Sequence, residues 1–247
     1  MTRWGRRRHS SSQRRHSGSW TVDTPVFAGL RVAPPLPKWY HCVMSVPTPS
    51  ARPFHDFDES YGAETPPPWD IGRPQPAVVG LAKAGGLVGR VLDVGCGTGE
   101  HALLAASLGF DTVGVDFAPK AIDRARAKAA QRDVKVEFVV LDALALDELG
   151  RQFDTVLDCG LFHGFENDER TRFVDSLRSV VPAGGRYHMW CFSDQQPGDW
   201  GPRRVSEEEI RSSFAQGWKV DSVERAMLEI TIDPAGALAW HVAATRL

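Results

Sequence analysis

The chain has 247 residues and a formal net charge of −2, enough for one sizeable α/β core, and no run approaches the ~20 apolar residues of a membrane helix. Its four cysteines, Cys42, Cys96, Cys159 and Cys191, form no C-x-x-C pair, so no zinc or disulfide framework is read from them and a reducing cytoplasm is the expected compartment. Residues 1–52 hold nine basic and one acidic residue, or +8, while the remainder holds twenty and thirty, or −10; an acidic folded part argues against nucleic acid as a partner.

The first 52 residues read as a disordered basic segment. Arg3, Arg6, Arg7, Arg8, Arg14 and Arg15 mix with serines, prolines follow, and no apolar period appears. A transit peptide, a basic docking arm and sequence upstream of the functional protein compete. The last is favoured, because Met44 opens Met-Ser-Val-Pro-Thr-Pro just before the acidic part. The folded domain is expected over 53–247.

Within it, a rigid stretch, Pro66-Pro67-Pro68-Trp69-Asp70-Ile71-Gly72-Arg73-Pro74-Gln75-Pro76, precedes a helix over 77–84. A buried strand over 90–94 breaks into Gly95-Cys96-Gly97-Thr98-Gly99, and a helix over 100–108 starts at once. A strand over 112–115 ends in Asp116. A helix over 119–131 begins with Pro119, a strand over 134–141 leads to Asp142, and a fourth strand covers 153–159. Asn167 is the expected N-cap of a helix over 168–181. A strand over 186–192 follows, then a capping box, Ser206 with Glu209, opening a helix to 216. Two strands, 218–232 and 238–245, are joined through Asp233-Pro234-Ala235-Gly236. This alternation predicts an α/β fold with a doubly wound, mostly parallel sheet and helices on both faces. The final strand pair reads as a hairpin, which makes one strand antiparallel.

In such a sheet the ligand lies beyond the C-terminal strand ends. Glycines at a strand-to-helix turn let a ligand touch backbone, and the helix start offers free N–H groups. Asp116, seventeen positions after Gly99, is placed to accept two hydrogen bonds from a ribose diol. Phe117 beside it can pack on a purine. Asp142 can accept from an adenine amino group, with the Ala143 N–H answering a ring nitrogen; the alternative for Asp142 is an N-cap. The spacing is G-x-G-x-G, not G-x-G-x-x-G, and no Lys-Ser/Thr follows, so neither a dinucleotide fingerprint nor a phosphate loop is present.

V-L-D-V-G-C-G-T-G resembles motif I of the class I S-adenosylmethionine-dependent methyltransferases, and V-G-V-D their second motif. The proline-rich P-W-D-I-G-R-P-Q-P resembles the N-terminal signature of the thiopurine/thiol/halide methyltransferase group and related bacterial small-molecule enzymes. That resemblance runs from about Tyr61 to the C-terminus and includes F-D-T-V-L-D-C-G-L-F-H and A-W-H-V-A-A-T. It implies a seven-stranded Rossmann-like sheet with the last strand antiparallel, S-adenosyl-L-methionine as cofactor, and methyl transfer to a small molecule.

By the same resemblance residues 53–85 form an N-terminal lid, and Trp69 and Gly72 line the cofactor pocket. Gly95, Cys96, Gly97 and Gly99 form the cofactor loop, organised by Asp93, and Cys159 sits where backbone meets the donor sulfur. His163 is the candidate catalytic residue, a general base helped by Asp158 or Tyr187; the alternative is a loop histidine bonded to backbone. The aromatic set Trp69, Phe162, Phe165, Trp190, Phe192 and Trp200 suggests a flat apolar acceptor with an accepting O, S or N. There is no [DNS]-P-P-[YFW] motif and no Pro-Cys nucleophile, so base methylation recedes. No metal and no membrane partner are expected, and the oligomeric state stays open. The other readings are a protein or RNA methyltransferase and a non-catalytic cofactor-binding protein.

Overall fold

The computed structural model describes residues 54–247, so the expectation for residues 1–52 falls outside the described residues. Helix α1 covers Phe54–Gly62 and α2 Pro76–Lys83, with Pro76 in its first turn. Strand β1 is Val91–Val94, buried at all four positions, as suits a strand covered on both faces. Helix α3, Glu100–Ser107, leads to β2, Thr112–Asp116; α4, Pro119–Arg132, leads to β3, Glu137–Val140. Strand β4 is Thr155–Cys159, α5 Asn167–Val180, β5 Arg186–Phe192, α6 Glu207–Ser213, β6 Trp218–Ile230 and β7 Asp233–Arg246.

The sheet order is β3-β2-β1-β4-β5-β7-β6. Strands β1 to β5 pair in parallel, and β7 is antiparallel to both β5 and β6. Chain direction across the sheet therefore reverses between β1 and β4, and a crevice opens beyond their C-terminal ends. One face is filled by Leu92, Val156, Phe173, Leu177, Tyr187 and Phe214; the other is filled by Val78, Val91, Leu157, Trp190 and Leu228.

Strand β4 starts at Thr155, two residues late, and α6 ends at Ser213, three residues early; three further differences have a visible cause. Strand β3 starts three residues late, because Asp133 turns left-handed (φ 53°) and the Val134 N–H bonds back to the Ala129 carbonyl, capping α4. Helix α5 takes Glu166, not Asn167, as its N-cap: the Glu169 carboxylate accepts the Glu166 N–H at 3.2 Å. Asn167 instead accepts from Arg203. The hairpin turns at Thr231 and Ile232, and the Asp-Pro-Ala-Gly run becomes a bulge inside β7. Asp233 accepts the Ala235 N–H there, and Pro234, with no N–H to give, tolerates the broken ladder.

Helix α1 is fastened to α4 by the packing of Tyr61 on Ala118 and Ala121 and by one ion pair. The Asp58 carboxylate accepts the Lys120 N–H at 2.8 Å and pairs with its Nζ at 3.0 Å. It thereby caps the first turn of α4 from another helix, where negative charge is favoured. Among the described residues no helix is long and apolar enough to cross a membrane.

Candidate active site

The crevice is one continuous cavity, bounded by the loops after β1, β2 and β4, by α1 with the 66–76 strap, and by the β6–β7 hairpin. Trp69, Gly95, Cys96, Gly97, Asp116, Phe117, Cys159 and His163 all face it. Gly72, Asp93, Gly99, Asp142 and Ala143 do not line it.

The glycine loop needs its glycines for two reasons. Gly95 and Gly97 have φ of 67° and 52°, and a Cβ on Gly97 would sit 2.7 Å from the Tyr61 hydroxyl oxygen. Gly99 is left-handed too, with φ 85°, and a Cβ there would also meet the Phe138 ring at 2.6 Å. Asp93 lies beneath, 1% exposed, accepting the Ala102 N–H of α3 at 3.0 Å, and burial pushes its carboxyl up to about 7. It ties β1 to α3 and braces the loop without reaching the cavity.

Asp116 closes β2. Its Oδ2 accepts the Gly97 N–H at 2.8 Å and its Oδ1 the Ala118 N–H at 2.9 Å. Burial pushes this carboxyl up to about 6. The Phe117 N–H also bonds to this carboxylate, and a carboxylate has about four acceptor positions, which leaves capacity for a hydroxyl donor such as a diol. The donor set therefore fits an adenosine-type ligand: acceptors at a diol position, bare backbone at Gly95–Gly97, and an aromatic ring, Phe117, beside them. Asp142 is exposed and caps the turn Ala143–Leu149 by accepting the Leu144 N–H at 2.9 Å, while Ala143 packs in the core.

Above the loop, Trp69 Nε1 donates to the Tyr61 hydroxyl at 2.9 Å, and Phe57 contacts both Trp69 and Phe117 with centroids 5.9 and 5.8 Å away. The strap is latched by a directed chain. Lys128 Nζ donates to Thr98 Oγ1 at 2.7 Å, and that hydroxyl donates to Asp70 at 3.0 Å. Asp70 also accepts the Gly72 N–H at 3.2 Å, and Gly72 turns with φ 70°. Gln75 clasps the hairpin through two 2.9 Å bonds to the Glu229 backbone, and Arg73 pairs with the Glu229 carboxylate. Replacing Trp69 by Ala is expected to weaken S-adenosylhomocysteine binding by about 2 kcal/mol, through lost aromatic cover and an orphaned Tyr61 hydroxyl; calorimetry measures it.

His163 stands on the short turn Phe162–Gly164 after β4. Its Nδ1 accepts the Phe192 N–H at 3.0 Å. A neutral imidazole with Nδ1 accepting carries its proton on Nε2. Burial, then Arg170 and Arg204, lowers its pKa to about 3. Asp158 and Tyr187 do not assist it. They bond to each other at 2.7 Å in the core, and Asp158 accepts the Leu161 and Phe162 N–H groups, shaping the turn. Cys159 and Cys96 face the cavity as thiols, pushed up by burial.

Of the expected aromatic set, Trp69, Phe165, Phe192 and Trp200 face the cavity. Phe162 is core, and Trp190 stacks on His241 at 4.5 Å behind the sheet. Sequence reading missed Phe57, Tyr61, Thr98, His101 and the hairpin wall of Leu228, Ile230 and Ile232. For the hairpin, apolar residues at alternate positions of β6 were the only signal.

Residues 91–185 match a family described as a methyltransferase domain. The 2-heptyl-1-hydroxyquinolin-4(1H)-one methyltransferase of Mycobacteroides abscessus is 36% identical over 181 residues, covering 70% of this chain and 80% of its own. A solved structure concerned with conversion of a disulfide bond into a thioacetal group during echinomycin biosynthesis is 36% identical, with a TM-score of 0.71, and covers 78% of this chain and 92% of its own. Magnesium protoporphyrin IX methyltransferase from Synechocystis PCC 6803, solved with the methyl donor bound, shares the fold at 22% identity and a TM-score of 0.55, over 69% of this chain and 76% of its own. With its glycine loop, its Asp116 and these relatives, the chain belongs to the class I S-adenosylmethionine-dependent methyltransferases.

Proposed function

We propose that the protein methylates a small, flat heteroaromatic molecule on an ionisable oxygen, sulfur or nitrogen. The carrying observation is the apolar part of the cavity lining, Phe165, Phe192, Trp200, Leu228, Ile230 and Ile232, which shares the cavity with the His163 imidazole. A lining that combines aromatic rings with branched aliphatics suits a flat, apolar guest. The hydroxyquinolone named for the Mycobacteroides relative is such a molecule.

Bound S-adenosylmethionine supplies a sulfonium methyl group that an in-line nucleophile can take. Asp116 would hold the ribose diol, Phe117 would pack on the adenine, and the bare Gly95–Gly97 backbone would take the rest. The lid of Phe57, Tyr61 and Trp69 excludes water, which strengthens alignment and polar contacts inside. His163 serves as a donor: its Nε2–H fixes an acceptor oxygen or ring nitrogen, since its only lone pair is spent on the Phe192 N–H. We place the enzyme in the cytoplasm, with no nucleic-acid or membrane partner.

The test is transfer of labelled methyl from S-adenosylmethionine to a panel holding 1-hydroxyquinolin-4-one, 4-hydroxyquinoline, a heteroaromatic thiol, a disulfide-bridged peptide, bulk protein and RNA. Turnover on the flat hydroxy or thiol compounds is expected. Label in protein or RNA alone, or tight cofactor binding with no turnover, overturns the reading. Transfer to the disulfide peptide supports a sulfur acceptor, the second reading favoured by the 36% identity to the thioacetal-forming system.

A further inference from the structure

Between β5 and α6 the chain makes a loop, residues 194–204, that closes on itself. At its base Val205 N–H donates to the Phe192 carbonyl and Asp194 N–H to the Val205 carbonyl, both at 3.0 Å. Inside it, one guanidinium collects the carbonyls. Arg204 donates to Trp200 O at 2.6 Å and Pro202 O at 2.7 Å, and more weakly to Gln196 O and Gly198 O, both at 3.4 Å. The same group lies 5.4 Å from the Phe192 ring centroid and 5.7 Å from that of Trp200. Those two rings meet edge to face at 5.8 Å and 89°, and both line the cavity. The loop is thus not held by apolar packing alone; its fold and the angle of its two rings depend on one five-donor fork.

We infer that Arg204 is a positioning residue that sets acceptor specificity, by holding Trp200 against Phe192 as the flat wall of the apolar part of the cavity. The inference rests on the acceptor reading above. The Phe192 ring that Arg204 covers also meets the His163 ring edge to face, with centroids 5.1 Å apart, so the wall borders the donor directly. A lysine offers one point charge and cannot collect four carbonyls, so it should not substitute.

The experiment compares wild type, Arg204→Lys, Trp200→Ala and the double variant. It reads acceptor KM and kcat with 1-hydroxyquinolin-4-one, S-adenosylhomocysteine affinity, and hydrogen exchange of residues 194–203 in the cofactor-bound protein. Expected for Arg204→Lys are a tenfold or larger rise in acceptor KM, kcat and cofactor affinity within threefold of wild type, and faster exchange confined to the loop. Adding Trp200→Ala should then cost no more than threefold further, because both act through one wall. Unchanged loop exchange, losses that multiply independently, or cofactor affinity falling in parallel overturns the inference. Should wild type methylate none of the flat acceptors, the acceptor reading has failed, and loop exchange alone decides: faster supports Arg204 as the loop's organiser and unchanged overturns it.

Discussion

Asp116→Ala is expected to lower affinity for S-adenosylhomocysteine by about 2–3 kcal/mol, roughly 30- to 150-fold, the scale of hydrogen bonds to a charged group. The carboxylate is buried, its protein bonds are to backbone N–H groups of Gly97, Phe117 and Ala118, and it lines the cavity. The native group also has a pH signature. In the free protein it titrates near 6, and donors from a diol favour the ionised form. Affinity should therefore be full above about pH 7 and fall as pH drops through 6, approaching tenfold per pH unit. Titration calorimetry between pH 5 and 8 checks both claims. A flat profile in wild type, or an equal slope in Asp116→Ala, would mean another group carries the dependence.

His163→Ala should lower turnover about 10²-fold, with cofactor affinity nearly unchanged. The informative variant is His163→Gln, whose amide can offer an N–H but is no base near neutral pH. Recovery of turnover to within tenfold of wild type identifies a donor. The pH profile gives an independent reading. A histidine at about 3 stays neutral across the working range, so kcat/KM should follow ionisation of the acceptor and shift with the acceptor's own pKa. A limb near pH 6–7 that persists across acceptors and vanishes in His163→Ala would instead restore His163 as the base.

What the sequence made legible was local. The β1–glycine loop–α3 unit is contiguous, and its glycines are demanded by backbone geometry, so spacing alone announces it. Asp116 was readable because a strand end and a loop are separated by one helix. The latch and clasp were not readable. Thr98 reaches Asp70 across 28 positions and Gln75 reaches Glu229 across 154, and neither Thr nor Gln is a rare residue in a loop. His163 stood out as a titratable group, yet its role turns on a Phe192 N–H 29 residues away that claims its lone pair. Aromatic composition could not separate Trp190 and Phe162, which fill the core, from Trp200 and Phe165, which face the cavity. The Asp-Pro-Ala-Gly run was correctly read as irregular and wrongly as the turn, because the same residues serve a bulge equally well.

Asp58 gives the lid an unusual kind of gate. Because it caps α4 from α1, a fluctuation that lifts α1 also strips the first turn of α4 of its electrostatic support. That turn follows directly on Asp116 and Phe117, the residues proposed to meet the diol and the adenine ring. Opening is then no swing of a rigid flap about a hinge. It is a small cooperative unfolding event in which cover and floor loosen together, and one carboxylate couples the two.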